Sequence, residues 1–278
     1  MNFIVLFIFL IYNYTKMQEA SMGWEKVIEK IPVDKAYDDL VHPSASSTGE
    51  VASIIPRTIH ALLVPLEKWI IVREYSLKET EKILQSKLEH VNPDEIVSPE
   101  VHVAVPALQY ISYSMDNEEI RDLYANLLSA SMQKSLKGNV LPSFVEIIKQ
   151  LTPDEARILK YLYSQRRIPL LKINRYDFNS SSGYITTAEH LSLLNNKISL
   201  EKTDMIPTLL DNLQRLNILE LRYDTYFSDD SKYSEIEEAY ASQIEILNEK
   251  FNGKYQFKTR HGLCQITTFG NAFCKICV

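Results

Sequence analysis

Residues 105–151 read VPALQYISYSMDNEEIRDLYANLLSASMQKSLKGNVLPSFVEIIKQL, and their spacing is that of helices. Ile120, Leu123, Tyr124, Leu127 and Leu128 recur at i, i+3, i+4, i+7 and i+8, which places them on one helical face. Asp116 with Glu119 has the form of a capping box opening that helix. Lys137-Gly138-Asn139 reads as its end. Pro142 falls at the start of the next helix, where a missing N–H costs little. Phe144, Ile147, Ile148 and Leu151 then repeat the apolar spacing.

Toward the N-terminus the helical pattern continues. Residues 76–91 (SLKETEKILQSKLEHV) carry a second box, Ser76 with Glu79, and Pro93, Pro99 and Pro106 then break the chain into short connections. Over residues 54–70, Ile55, Ile59, Leu62, Leu63, Leu66 and Ile70 share half of a helical wheel, with Arg57, His60, Glu67 and Lys68 opposite, the pattern of a core helix. Residues 41–49 (VHPSASSTG) read as a linker. Residues 3–12 (FIVLFIFLIY) are wholly apolar, but shorter than the roughly 20 residues that a spanning helix needs. They read as an upstream start before Met17 or Met22, as a hydrophobic anchor or partner-binding tail, or as a packed N-terminal segment.

Beyond residue 151 the character changes. Thr152-Pro153-Asp154-Glu155 is a capping box opening a helix to about Gln165. Thr186 with Glu189 suggests a shorter helix containing Leu191 and Leu194. Thr203 opens a third, with Ile206, Leu209, Leu210, Leu213 and Leu216 on one face. Asn217 suits a left-handed cap. Residues 218–221 turn extended, residues 255–260 and 263–267 suggest two strands around His261-Gly262, and residues 269–278 a closing helix. Three helices followed by a β-hairpin is the order of a winged helix, with an insertion helix over residues 235–251. The expected fold is mainly α. It comprises a leader or upstream start (1–22), an N-terminal helical domain (23–150) and a winged-helix-like α+β domain (151–278).

The 278 residues carry a net charge of −6, with 45% hydrophobic and 24% charged residues, which is globular composition. Up to residue 150 there are 14 Lys/Arg against 20 Asp/Glu, and 16 of each beyond it, so the first half has no field to attract nucleic acid. Basic residues gather at Arg157, Lys160, Arg166, Arg167, Lys172 and Arg175, a candidate patch for phosphates or an acidic partner. As a recognition helix, residues 203–216 offer Arg215 beside two aspartates, Asp204 and Asp211, a poor match to DNA. Three cysteines fit a reducing cytosol rather than a disulfide framework. Cys274-x-x-Cys277 with Cys264 and His261 has no second paired motif to complete a zinc site, and on a helix both cysteines pack inward. No Walker loop, GxSxG, HExxH or GxGxxG occurs, and six histidines are scattered without metal spacing. No catalytic, cofactor or metal residue is therefore assigned, and the chain is expected not to be an enzyme.

Several of these pieces resemble the bacterial abortive infection alpha family, a domain of unknown function. They are Leu62–Trp69 (LLVPLEKW), Pro99, Pro106-Ala107, Tyr124-Ala125-Asn126-Leu127-Leu128, Pro142-Ser143-Phe144 leading to Ile148 and Leu151, and Asp154-Glu155-Ala156 with Leu159. Ile266-Thr267-Thr268-Phe269-Gly270 with Phe273 and Cys277 is similar to the family's ending. The family pattern commonly places His before Pro-Ser-Phe, where this chain has Leu141. Asn126, Pro142, Ser143 and Phe144 read as helix starts and packing positions, with Asn126 able to satisfy a backbone group. The resemblance implies phage defence. The expected mode is recognition of a protein partner in the cytoplasm. A winged-helix DNA-binding regulator and an effector acting at a membrane through residues 3–12 or 54–72 are the rivals. Association into a homo-oligomer is compatible with each.

Overall fold

The computed structural model describes residues 74–179 and 183–278. The apolar run at residues 3–12, the linker at 41–49 and the helix expected over 54–70 lie outside these residues. Among the described residues five helices come first: α1 (Glu74–Leu88), α2 (Val101–Tyr113), α3 (Glu118–Ser131), α4 (Pro142–Ile148) and α5 (Pro153–Gln165). Ser76 is inside α1 and is not its cap. Pro106 does not break the chain either, being carried inside α2. The cap of α3 is Asn117 rather than Asp116, its side chain accepting the Ile120 N–H. Glu119, which the expected box needed to turn back on Asp116, is drawn instead to Arg157 at 2.6 Å. That helix also stops at Ser131, and Lys137–Asn139 forms a separate 3-10 turn. Pro142 begins α4 as expected, and the Thr152–Glu155 box caps α5 with both reciprocal hydrogen bonds.

The rest is α+β. In chain order come β1 (Arg167–Asp177), β2 (Ile185–Leu191), α6 (Leu194–Lys197), α7 (Ile206–Arg215), β3 (Leu219–Arg222), α8 (Ser231–Lys250), β4 (Tyr255–Ile266) and α9 (Thr268–Cys277). The strands form one antiparallel sheet in the order β2-β1-β4-β3. Two expectations are corrected here. Residues 186–191 are strand, not helix: β-branched Ile185, Thr186 and Thr187 suit a pleated surface, and β1 supplies the pairing that overrides a local capping pattern. Residues 255–266 are one strand, not two around a turn. Gly262 is opposite Leu170 in mid-strand, and a Cβ there would run into the Arg222 carbonyl and the Tyr223 ring. Asn217 takes the left-handed conformation expected of it, at φ 58°.

A single apolar cluster runs from Leu84 in α1 to Cys277 in α9 and takes in α2 to α5, α7 and the first part of the sheet. A smaller cluster, Leu171 with Tyr233 and Ile236, seats α8 on β1. Among the described residues no helix is long and apolar enough to cross a membrane. At its N-terminus α9 packs so closely on the β3 entry that a Cβ at Gly270 would collide with the Ile218 carbonyl. Overpacking against backbone has no flexible side chain to absorb it. Gly270→Ala should therefore lower the unfolding free energy by about 2 kcal/mol or more in urea titrations, whereas Gly138→Ala, with open space around it, should not.

Candidate functional site

The start of α5 concentrates charge. Asp154 is 4% exposed and accepts the backbone N–H groups of Glu201 (3.0 Å) and Lys202 (2.9 Å) together with Arg157 (2.9 Å). Burial opposes its ionised form, but those two N–H groups and the guanidinium outweigh it and hold the carboxyl below its ordinary range. Glu155, 1% exposed, accepts from the Thr152 N–H and hydroxyl and from Asn212 Nδ2 at 2.6 Å. Arg157 contacts Glu119 and Glu201 besides Asp154. These groups join α3, α5, α7 and the segment ahead of α7.

The six basic residues expected to form one patch separate into three places. Arg157 is neutralised as described. Lys160 is exposed, beside Glu118, Glu119 and Asp122 in a pocket of about 270 Å³. Lys172 is on the sheet with its ammonium 4.5 Å from the Tyr223 ring, and Arg175 is 4.3 Å from the Tyr255 ring. Arg166 ends α5 in a left-handed conformation (φ 67°), its N–H on the Leu162 carbonyl, and so reverses the chain into β1. Its guanidinium reaches Asn271 and covers the Tyr163 ring. Arg167 is exposed and has no ion-pair partner among the described residues. Both arginines line a cleft of about 790 Å³ with Gln214, Gln265, Thr268 and Asn271, where Glu220 is the one carboxylate. Gln265 already holds Glu220 at 2.7 Å. The cleft's chemistry suits an anionic group.

A second arrangement had no signal in the sequence. His190, 6% exposed and at φ 58°, donates its N–H to the Tyr223 hydroxyl at 2.8 Å. Its ring nitrogens are 3.2 Å from that hydroxyl and 3.1 Å from Asp211. Burial pushes the Tyr223 phenol up. The group ties the end of β2 to α7 and to the exit of β3.

Of the motif residues Phe144 is buried, Asn126 half-buried, and Pro142 and Ser143 exposed. Asn126 Nδ2 donates to the Cys277 carbonyl at 2.9 Å, which fastens α9 to α3. Phe144 is fully buried, edge-on to Phe273 at 5.4 Å and to Phe269 at 5.8 Å. Pro142 is at the first helical position and Ser143 faces solvent. Cys264, Cys274 and Cys277 are free and buried, the last two packing inward as expected. Burial pushes the first two thiols up to about 12 and that of Cys277 well above its ordinary value.

The chain matches the family described as "Abortive infection alpha" over residues 72–277. That match starts beyond the LLVPLEKW segment and takes in the ending at Ile266–Gly270 with Phe273 and Cys277. No curated protein matches the chain. A solved structure of an uncharacterized protein from the hydrocarbon-degrading marine bacterium Alcanivorax borkumensis SK2 is 15% identical, covers 51% of this chain and 94% of its own, and superposes with a TM-score of 0.32.

Two outcomes follow from the ionisations. Because the folded Asp154 carboxyl titrates below its unfolded value, its stabilisation is present above about pH 4 and is lost as pH falls through the folded value. Asp154→Asn should cost about 2–3 kcal/mol at neutral pH, a gap that narrows below about pH 4 in urea titrations. With thiols near 12, only about one in ten thousand is thiolate at pH 8, so Ellman's reagent should label no cysteine in the folded protein and all three after denaturation.

Proposed function

Since the chain belongs to the abortive infection alpha family, we propose that it is a phage-defence protein that acts by binding a partner, without turnover of its own. The cleft at Arg166 and Arg167 carries this reading. It is the one place in the basic patch where a guanidinium is both exposed and without a carboxylate partner among the described residues. An acidic group of a protein partner fits its lining. The residues by which the family is recognised support the reading as well. Asn126, Pro142 and Phe144 cap and pack, so their work is to hold a shape on which a surface can be displayed.

On this reading the second half is a winged-helix derivative. Its support is the sequence of α5, β1, α6, α7, β3 and β4, with β1 beside β4 and β4 beside β3. β2 is then an added edge strand and α8 an insertion in the chain between β3 and β4. The polar residues of α7 favour a protein partner over DNA. Arg215 is bonded to Asn212 and Gln150, Asn212 to Glu155, Gln214 to the Leu221 N–H, and Asp211 to His190. A helix so engaged has little left for base edges.

The test is phage plating on cells expressing the full chain, an Arg166→Glu/Arg167→Glu variant, or empty vector. Wild type should reduce plaque numbers and protect cultures at low phage-to-cell ratio but not at high ratio. The double variant should lose protection while melting like wild type. Absence of protection by well-expressed wild type would overturn the defence role, and full protection by the charge-reversed variant would remove the cleft from it.

A further inference from the structure

We propose that the outer half of the sheet, on the face turned away from α8, binds single-stranded nucleic acid. The unbroken β1–β4 register defines that face. Leu171, which is opposite His261, faces α8: Leu171 packs with Tyr233 and Ile236, and His261 stacks on Tyr233 at 3.8 Å. Side chains alternate along a strand, so the next pairs, Lys172 with Arg260, Asn174 with Lys258 and Tyr176 with Gln256, project to the other side.

That side is built of cations and tyrosines. Tyr176 and Tyr184 form a ring pair at 5.5 Å, and Tyr184 is 41% exposed. The Lys258 ammonium is 5.7 Å from the Tyr176 ring, and that of Lys172 is 5.7 Å from the Tyr184 ring. Arg260 donates to the Tyr184 hydroxyl at 3.0 Å and to the Tyr223 carbonyl at 3.0 Å. None of Lys172, Lys258 and Arg260 forms an ion pair among the described residues. Asp224, which also feels Arg260, is already held by Arg222 at 3.0 and 2.7 Å. Paired in register with Lys258, Asn174 is buried and its Nδ2 has no hydrogen-bond partner, although its Oδ1 accepts from Thr186. This is a positive strip with one exposed tyrosine ring, Tyr184, a half-buried one, Tyr176, and a spare amide donor beneath it.

Charge complementarity and ring chemistry choose the occupant. Phosphates match cations that no carboxylate neutralises, and unstacked bases match tyrosine faces. In a duplex the base faces are already stacked, so the single strand is the form that uses both features. The surface is distinct from the Arg166–Arg167 cleft and does not rest on the defence reading. Binding is read on purified protein and defence in plated cells, so one can fail without the other.

The experiment is fluorescence anisotropy of the full chain with short labelled oligothymidylate and oligouridylate over a salt series, with the corresponding duplex and anionic phosphatidylserine vesicles as competitors. Wild type should bind the single strands with a log–log salt slope of about −2, given three cations at about 0.7 each. Lys258→Ala/Arg260→Ala should flatten that slope by about 1.4. Tyr184→Ala should weaken binding about fivefold or more at unchanged slope, and Tyr184→Phe, which keeps the ring, should bind like wild type. The two oligonucleotides distinguish DNA from RNA as the source of the strand. Four results would each overturn the proposal: no saturable binding at low salt, stronger binding to duplex, displacement by vesicles alone, or loss of binding through Arg166→Ala/Arg167→Ala and not through Lys258→Ala/Arg260→Ala.

Discussion

Two adjacent buried carboxylates at the head of one helix are the constraint on which the rest depends. An ionised group taken out of water is tolerated only when its oxygens are met by donors. Asp154 and Glu155 meet that demand in different directions. Asp154 takes the N–H groups of Glu201 and Lys202, and Glu155 takes the cap of its own helix and Asn212 of α7. The partial positive charge at a helix N-terminus favours both anions where they are. Satisfying them sets α7 against α5. The position of α7 then determines where Asn217 turns the chain into β3, and with that one wall of the Arg166–Arg167 cleft.

Much of this scaffold is legible locally. The box Thr152-Pro153-Asp154-Glu155 marks the true first residue of α5, and the apolar spacing of α3, α4 and α7 marks their buried faces, because caps and helical faces are decided within a few residues. Strands are decided elsewhere. β1 owes its form to β4, whose residues are about ninety positions away in the chain, as Leu170 with Gly262 shows. Its buried positions do not alternate cleanly, since Ile168 and Leu170 enter the main core while Leu171 and Ile173 face the other way. A two-residue period is then hidden. The same blindness makes Thr186 and Glu189 look like a helix start and Gly262 look like a turn.

Charge was the least readable property, for a geometric reason. Residues close in the chain are close in space only while the backbone keeps its direction. Arg166 reverses it, and Arg157 and Lys172, fifteen positions apart, end on different elements with different neighbours. Arg157 meets three carboxylates, two of them supplied by α3 and by residue 201. Lys172 meets two tyrosine rings. Conversely, Lys258 and Arg260 share a face with Lys172 through strand pairing, Tyr184 joins them from the residue ahead of β2, and His190, Asp211 and Tyr223 converge from three elements.

The packed members of the family motif, Asn126 and Phe144, and the exposed charged residues are therefore different sets. Asn126 spends its amide on the Cys277 carbonyl and Phe144 its ring on Phe269 and Phe273. Phe144, at zero exposure, meets nothing from outside, and Asn126, half-buried, has its amide held by the Cys277 carbonyl. Replacing either would loosen α9 from α3 and α4, a loss for buried Phe of about 3–5 kcal/mol, and so disturb every surface at once. Exposed charges such as Arg167, Lys258 and Arg260 contribute little to the core, so changing them alters what the protein meets while leaving its shape in place. Likeness carried by the first set argues for common architecture. Any argument for a partner has to start from the second.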